Sequence, residues 1–308
     1  MEIINGQFCL YKKYQGISLA LGTFDGVHLG HQKIIERVVE TAVTRGGTSV
    51  VFTFDPHPRL VLRPQLTLPL LMDVVEKQDV LAALNLDVLL MFPFQLEFSQ
   101  LMPQEFVQNI IVKLLRPELV VVGPNYTFGH RGQGTPDLLK ALGMKYGFQV
   151  EIVEPVYVDK QMVSSTIIRN MIMEGKVDTA QGLIGRPFSI LGKVVAGDGR
   201  GRKLGYPTAN IETPVSSVMP ADGVYAVFVK IGEDSYRGVA NIGTNPTFQT
   251  RQRRMEVHLL DFKADLYGEN IRIKFIKRLR QEITFNNAAE LTRQIKKDIE
   301  NAAIILQT

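Results

Sequence analysis

Two histidines three residues apart, His28 and His31, lie in the stretch Leu21-Gly-Thr-Phe-Asp-Gly-Val-His-Leu-Gly-His31, which joins a predicted strand to a predicted helix. A spacing of three lets both imidazoles share one face of a helix's first turn. Free backbone N–H groups and the positive end of the helix dipole attract phosphate at such a place. Gly22, Gly26 and Gly30 remove side chains that would hold a phosphate away, and Phe24 stands in the same turn. Two imidazoles here can donate hydrogen bonds to an α-phosphate as charge builds during displacement, with no covalent step. The plainer alternative is a pair of surface or capping histidines after a glycine turn.

Three other segments offer partners for this chemistry. In Val163-Ser-Ser-Thr-Ile-Ile-Arg169, one of Ser164, Ser165 and Thr166 should start a helix and Arg169 should lie in its first turn. Hydroxyl caps and an arginine suit a second phosphate cradle, although simple N-capping explains the hydroxyls equally well. Phe52-Thr-Phe-Asp-Pro-His-Pro58 and Val121-Val-Gly-Pro-Asn-Tyr-Thr-Phe-Gly129 each end a predicted strand and so reach one rim. Phe54, Tyr126 and Phe128, beside the stiff turn Pro56-His57-Pro58, can form a slot for a flat heterocycle, with Asn125 supplying hydrogen bonds. The alternative for each ring is a place in the core.

A second constellation stands far from the first. Gly192-Lys-Val-Val-Ala-Gly-Asp-Gly-Arg-Gly-Arg-Lys-Leu-Gly-Tyr-Pro-Thr-Ala-Asn210 carries Gly197, Gly199, Gly201 and Gly205, which let backbone approach a polyphosphate, and Arg200, Arg202 and Lys203, which balance its charge. The spacing fits neither a Walker loop nor a dinucleotide fingerprint, and a basic hairpin is the alternative. If Pro207–Asn210 is extended, Thr208 and Asn210 point to one side and offer two hard oxygen ligands, which suit Mg2+ held mainly by its nucleotide. Glu256 lies in the alternating run Met255-Glu-Val-His-Leu-Leu260, where a charge directed inward is costly unless used. It is the candidate general base toward a substrate hydroxyl, the alternative being an exposed partner of Arg253 or Arg254. Asp25, Asp55 and Asp198 sit in turn-forming sequences and read as local caps.

The elements that must position these groups divide near residue 185. Before it, β-branched runs at Ile17–Leu21, Ser49–Phe54, Val88–Met91, Leu119–Val122 and Gln149–Val153 alternate with helical stretches at 32–44, 74–84, 105–115 and 136–145. Alternation of this kind predicts an α/β domain with a parallel sheet whose ligands sit beyond the carboxyl ends of the strands. After it, runs at Ile190–Val195, Val224–Ile231, Arg237–Asn241, Met255–Leu260 and Ile271–Ile276 predict an antiparallel barrel or sandwich. Leu291, Ile295, Ile299 and Ala302 then recur at helical spacing, which predicts a C-terminal helix packed on it. The domains are expected to be 1–185 and 186–308.

Composition sets the outer bounds. The 308 residues are 45% hydrophobic and 21% charged, an ordinary globular balance, and the net charge of +4 is too small for a charge-driven nucleic-acid binder. No apolar run approaches the roughly 18 to 20 residues that span a bilayer, so no membrane partner, channel or pump is expected. The single cysteine, Cys9, excludes an internal disulfide, and no secretory signal is visible, so cytoplasm is expected. These features leave room for a homo-oligomer.

Taken in order, Gly22–His31, Phe54–Pro58, Ser164–Arg169, Gly197–Arg202, Pro207–Asn210 and Glu256 resemble the motifs of the bifunctional bacterial riboflavin kinases and FMN adenylyltransferases, over nearly the whole chain. The resemblance implies a Rossmann-like nucleotidyltransferase domain followed by an all-β six-stranded flavokinase barrel with its C-terminal helix. It implies that riboflavin takes the γ-phosphate of ATP to give FMN in the second domain, and that FMN takes AMP to give FAD in the first, with Mg2+ and ATP at both. On that resemblance His28, His31, Asn125, Ser164 and Arg169 hold the adenylylation nucleotide, and Thr208, Asn210 and Glu256 carry the kinase.

Overall fold

The computed structural model describes residues 1–6, 9–65, 69–197, 201, 204–244 and 253–307. By their contacts these fall into two units, Met1–Leu68 with Val74–Ser164, and Pro69–Asp73 with Ser165–Thr308.

The first unit is a six-stranded parallel sheet with helices. Its strands are β1 (Glu2–Asn5), β2 (Ile17–Leu21), β3 (Thr48–Phe54), β4 (Val88–Phe92), β5 (Leu119–Val122) and β6 (Gln149–Ile152), in the spatial order β1-β4-β3-β2-β5-β6. Strands β2, β4 and β5 are buried at every residue, which is why they read as unbroken apolar runs: a sheet covered on both faces has no polar side to alternate with. The helices are α1 (Leu29–Arg45), α2 (Pro58–Leu62), α3 (Val74–Ala83), α4 (Pro103–Phe106) and α5 (Pro136–Tyr146). The helical stretch expected at 105–115 is π-helical over Val107–Leu115. Strand β1 was not foreseen, because its four residues are mostly exposed and carry little pattern.

The strand order is what matters for chemistry. From β2 the chain moves outward through β3 and β4, then returns to the other side of β2 for β5 and β6. The connections leaving the carboxyl ends of β2 and β5 therefore run in opposite directions and open a crevice, the place where ligands of such sheets bind.

In the second unit a closed barrel has the order β10-β13-β12-β11-β14-β9, so the sandwich alternative is excluded. Its strands are β9 (Phe188–Val195), β10 (Ala209–Glu212), β11 (Gly223–Ile231), β12 (Asp234–Thr244), β13 (Arg253–Leu259) and β14 (Asn270–Arg280), with the short pair β7 (Tyr157–Val158) and β8 (Gln161–Met162) preceding them in the first unit. Helices α6 (Ser165–Met173) and α7 (Val177–Ile184) belong by contact to the barrel unit, and α7 packs against β14 and β9. Helix α8 (Ala288–Ile305) starts at the cap Asn287, whose side chain accepts from the Glu290 N–H. It covers Ala226 with Ala302 and Leu306, as its apolar spacing predicts, while buried Asp298 accepts from Arg280 Nη2 at 2.8 Å. The short segment Pro69–Asp73 joins the same unit: Leu70 bridges to Ser217, and Asp73 pairs with Arg272 at 2.8 Å.

Candidate active sites

The turn after β2 is held in conformations that ordinary side chains avoid. Phe24 and Val27 have φ of 48° and 36°, strain of the kind that persists only where packing over-determines it and that clusters at functional sites. The Phe24 ring is buried and meets His31 edge-on, with centroids 5.3 Å apart. His28 is the N-cap of α1: its Nδ1 accepts from the His31 backbone N–H at 3.3 Å. The capping alternative therefore holds for His28. Using Nδ1 as the acceptor leaves the proton of the neutral ring on Nε2, the nitrogen that can donate.

His28 and His31 stack with centroids 3.7 Å apart and planes inclined by 15°. Gly30 lies close under this stack: a Cβ there would stand 3.3 Å from the His28 ring and 3.9 Å from the Val163 carbonyl oxygen. That carbonyl brings Ser164 into the neighbourhood of the pair. Burial pushes the His31 imidazole well below its ordinary value, helped by the electrostatic influence of His28 and Lys77, so the ring is neutral. Its buried Nδ1 has no hydrogen-bond partner among the described residues. A buried polar atom without a partner is costly, and a ligand is one way to satisfy it.

The other expected members fall on several sides. Asn125 is exposed in the turn after β5, where the Tyr126 N–H donates to the Gly123 carbonyl at 3.2 Å, and Gly123 lies against Ile34 of α1. Phe54 is half-buried among Phe52, Phe94 and Phe98. Tyr126 stacks on Phe128 at 5.7 Å, and burial raises its phenol above the ordinary range. Phe128 itself is a core residue packed on Phe106, so it backs Tyr126. Pro56 is exposed, His57 caps α2 by accepting from the Arg59 N–H at 3.2 Å, and Pro58 is that helix's first residue. Ser165 begins α6, Thr166 is exposed in its first turn, and Arg169, in the second turn, is buried with Nε donating to the Pro69 carbonyl at 2.6 Å.

Sequence reasoning missed Lys77 on α3. Its Nζ donates to the carbonyl of Thr23, in the turn after β2, at 2.9 Å. Burial lowers its proton affinity, and the carboxylates of Asp25 and Asp55 raise it.

The barrel gathers a second set. Asn210 on β10 and Glu256 on β13 are direct cross-strand partners, and the Thr208 hydroxyl donates to Glu256 Oε2 at 3.4 Å. The expectation of an inward Glu256 is corrected. Met255, Val257 and Leu259 fill the core, and the strand's period of two turns Glu256 and His258 to the opposite face, half-buried. A carboxylate avoids the apolar interior this way and still meets Thr208 and Asn210. Arg253 pairs with Asp222 at 2.6 Å, so its side chain is engaged away from Glu256. Asn241, the partner of Glu256 on β12, was also missed; it continues the row Asn210–Glu256–Asn241.

Gly197 lies on this row: a Cβ there would stand 1.8 Å from Asn210 Nδ2. Gly201 lies 3.1 Å from Thr208 Oγ1 by the same measure. Both glycines let backbone lie close against the side chains of Thr208 and Asn210. Gly199, Arg202 and Lys203, with Asp198 and Arg200, lie outside the described residues.

Comparison with known proteins agrees along the chain. A family model described as FAD synthetase matches residues 11–167, and one described as riboflavin kinase matches residues 184–306. A protein of Listeria monocytogenes named bifunctional riboflavin kinase/FMN adenylyltransferase is 40% identical over 91% of this chain and 89% of its own length. Proteins of the same name from Buchnera aphidicola and Escherichia coli are 36% and 37% identical, each over 97% of this chain, and over 97% and 96% of their own lengths. A solved structure from Streptococcus pneumoniae, named a macrolide-efflux protein, is 34% identical with a TM-score of 0.87, covering 98% of this chain and 99% of that one.

Proposed function

Because the chain belongs to the family of bifunctional riboflavin kinases and FMN adenylyltransferases, we propose a division of its two reactions between the two residue sets described above. The enzyme phosphorylates riboflavin to FMN and adenylylates FMN to FAD, with ATP as co-substrate of both steps. The observation that carries the division is the stacked His28–His31 pair, at the N-terminus of α1 beside the switch point of the sheet.

In adenylyl transfer, an FMN phosphate oxygen attacks the α-phosphorus of ATP as the bond to the β-phosphate oxygen breaks, releasing pyrophosphate. His28, with Nε2 protonated, donates to the oxygens on which charge accumulates, and neutral His31 adds a second uncharged ring beside it. Gly22, Phe24 and Gly30 shape the turn, Asn125 lies on the adjoining loop, and Ser164, Ser165, Thr166 and Arg169 are assigned to the departing phosphates. Phe54 and Tyr126 are assigned to the flavin.

In riboflavin phosphorylation, Glu256 takes the proton of the ribityl hydroxyl as its oxygen attacks the γ-phosphorus and ADP departs. Thr208 and Asn210 fit Mg2+: they are neutral oxygen donors beside a carboxylate, the Thr208 hydroxyl lying 3.4 Å from Glu256 Oε2. Among the described residues no cluster of three or more His, Cys, Asp or Glu could hold a metal, which suits an ion carried chiefly by nucleotide oxygens. Bound there, Mg2+ neutralises charge on the transferring phosphoryl group.

No helix among the described residues is long and apolar enough to cross a membrane. With Cys9 as its one cysteine the chain suits a reducing compartment, and we assign it to the cytoplasm.

The test separates the two sites. His28→Ala should lower FAD formation from FMN about a hundredfold, the scale of one lost preorganised donor, and leave riboflavin phosphorylation intact. Glu256→Gln should do the reverse, lowering the kinase rate by more than about tenfold. Chromatography of the flavins reads both, and normal FAD yield in a folded His28→Ala enzyme would overturn the assignment.

A further inference from the structure

We propose that the ammonium group of Lys77 binds a substrate phosphate in the adenylyl-transfer site. The inference rests on the reading of His28 and His31 given above and extends it to a residue on a different helix.

Lys77 is reached through the fold alone. It leaves α3 and ends on the Thr23 carbonyl, 54 residues away in sequence, in the turn that leads to His28. That same carbonyl accepts from the Thr53 hydroxyl at 3.1 Å, which ties the turn after β2 to the end of β3. An ammonium group has three N–H donors. Thr23 is the acceptor the described residues give it, and its position is part-buried. Asp25 and Asp55 act on it through their charge and favour the ammonium form. The turn therefore meets a part-buried ammonium with N–H donors beyond the one given to Thr23, and leads to His31, whose buried Nδ1 has no partner among the described residues. Burying such groups is costly unless something satisfies them, and an anionic oxygen is an acceptor that suits an ammonium N–H.

The phosphate belongs either to ATP or to FMN, and kinetics distinguishes the two. In Lys77→Met, the KM for ATP should rise at least tenfold in FAD formation if the lysine holds the nucleotide, or the KM for FMN if it holds the flavin phosphate. Lys77→Arg, which keeps the charge, should recover much of the loss. Riboflavin phosphorylation serves as the control for folding and should be unchanged. A staple of α3 to the β2 turn would lower the melting temperature and leave both KM values alone. Unchanged KM values beside a defective His28→Ala enzyme would overturn the proposal for Lys77 by itself, whereas a normal His28→Ala enzyme would overturn the whole site reading. If Lys77→Met does not fold, inorganic pyrophosphate or FMN should protect Lys77 of the wild-type enzyme from amine acetylation, read by mass spectrometry. Labelling unaffected by either compound would reject the idea.

Discussion

His31 couples the site to pH. Its folded pKa lies well below 6.5, through burial first and then the electrostatic influence of His28 and Lys77. In the unfolded chain the same imidazole takes up a proton near its ordinary value, so below that pH the unfolded state binds more protons and stability falls. At one pH unit below the ordinary value this linkage costs about 1.4 kcal/mol, until the folded pKa is reached. Removing the ring removes the penalty. The gap in melting temperature between wild type and His31→Gln should therefore shift in favour of the variant between pH 7 and 5. Parallel melting curves at every pH would show that His31 is not held neutral. The histidine pair was legible in sequence because a spacing of three and flanking glycines are local facts. Lys77 carries no such sign, being one lysine in a ten-residue helix with little apolar periodicity.

At the scale of elements, the kinase site depends on how a loop lies on a strand. Gly197 follows β9 and rests against Asn210 of β10, which pairs with β9 through Asn210 and Val195. A methyl group in that position overlaps the Asn210 amide, so either the amide turns away or the loop lifts. Gly197→Ala should consequently lower riboflavin phosphorylation by more than tenfold and raise the Mg2+ concentration needed, while conversion of supplied FMN to FAD persists. A Mg2+ titration of the kinase rate checks this, and an unaltered curve would separate Gly197 from the proposed metal ligands Thr208 and Asn210. The glycine loop was visible as composition, but its contact was not. Alternation along β13 was also visible in sequence; which face of the strand carried Glu256 was not, because a period of two defines two faces and only barrel closure says which is inside.

For the whole molecule, the question is where the kinase part ends. The sequence expectation puts the break at 185/186, whereas α6 and α7 pack with the barrel by contact. Leu183 and Ile184 of α7 are buried, and Gly175 between these helices lies against the Tyr225 hydroxyl and Arg278. Roughly 120 residues suffice for one core, so a 186–308 fragment should fold and make FMN. A 165–308 fragment keeps the cover over β9 and β14 and should melt several degrees higher. Both lack Asp73, the partner of Arg272, so the comparison isolates α6 and α7. Equal melting temperatures would show that these helices contribute nothing to the barrel, and a folded but inactive pair of fragments would show that the kinase needs residues that precede Ser165.

By itself the sequence determined the parallel sheet, the strand-rich second half, the C-terminal helix and most of the candidate groups. Each of these rests on spacing between near neighbours, such as apolar periods, glycine turns and paired histidines, which the linear order preserves. Only the tertiary structure decided that His28 caps α1 while stacking on His31, that Glu256 turns away from the core, that Lys77 reaches Thr23, and that residues 69–73 and 165–184 belong with the barrel. These are meetings of distant segments, and a side chain's partner across 54 residues is set by how strands order and close, which no local pattern encodes.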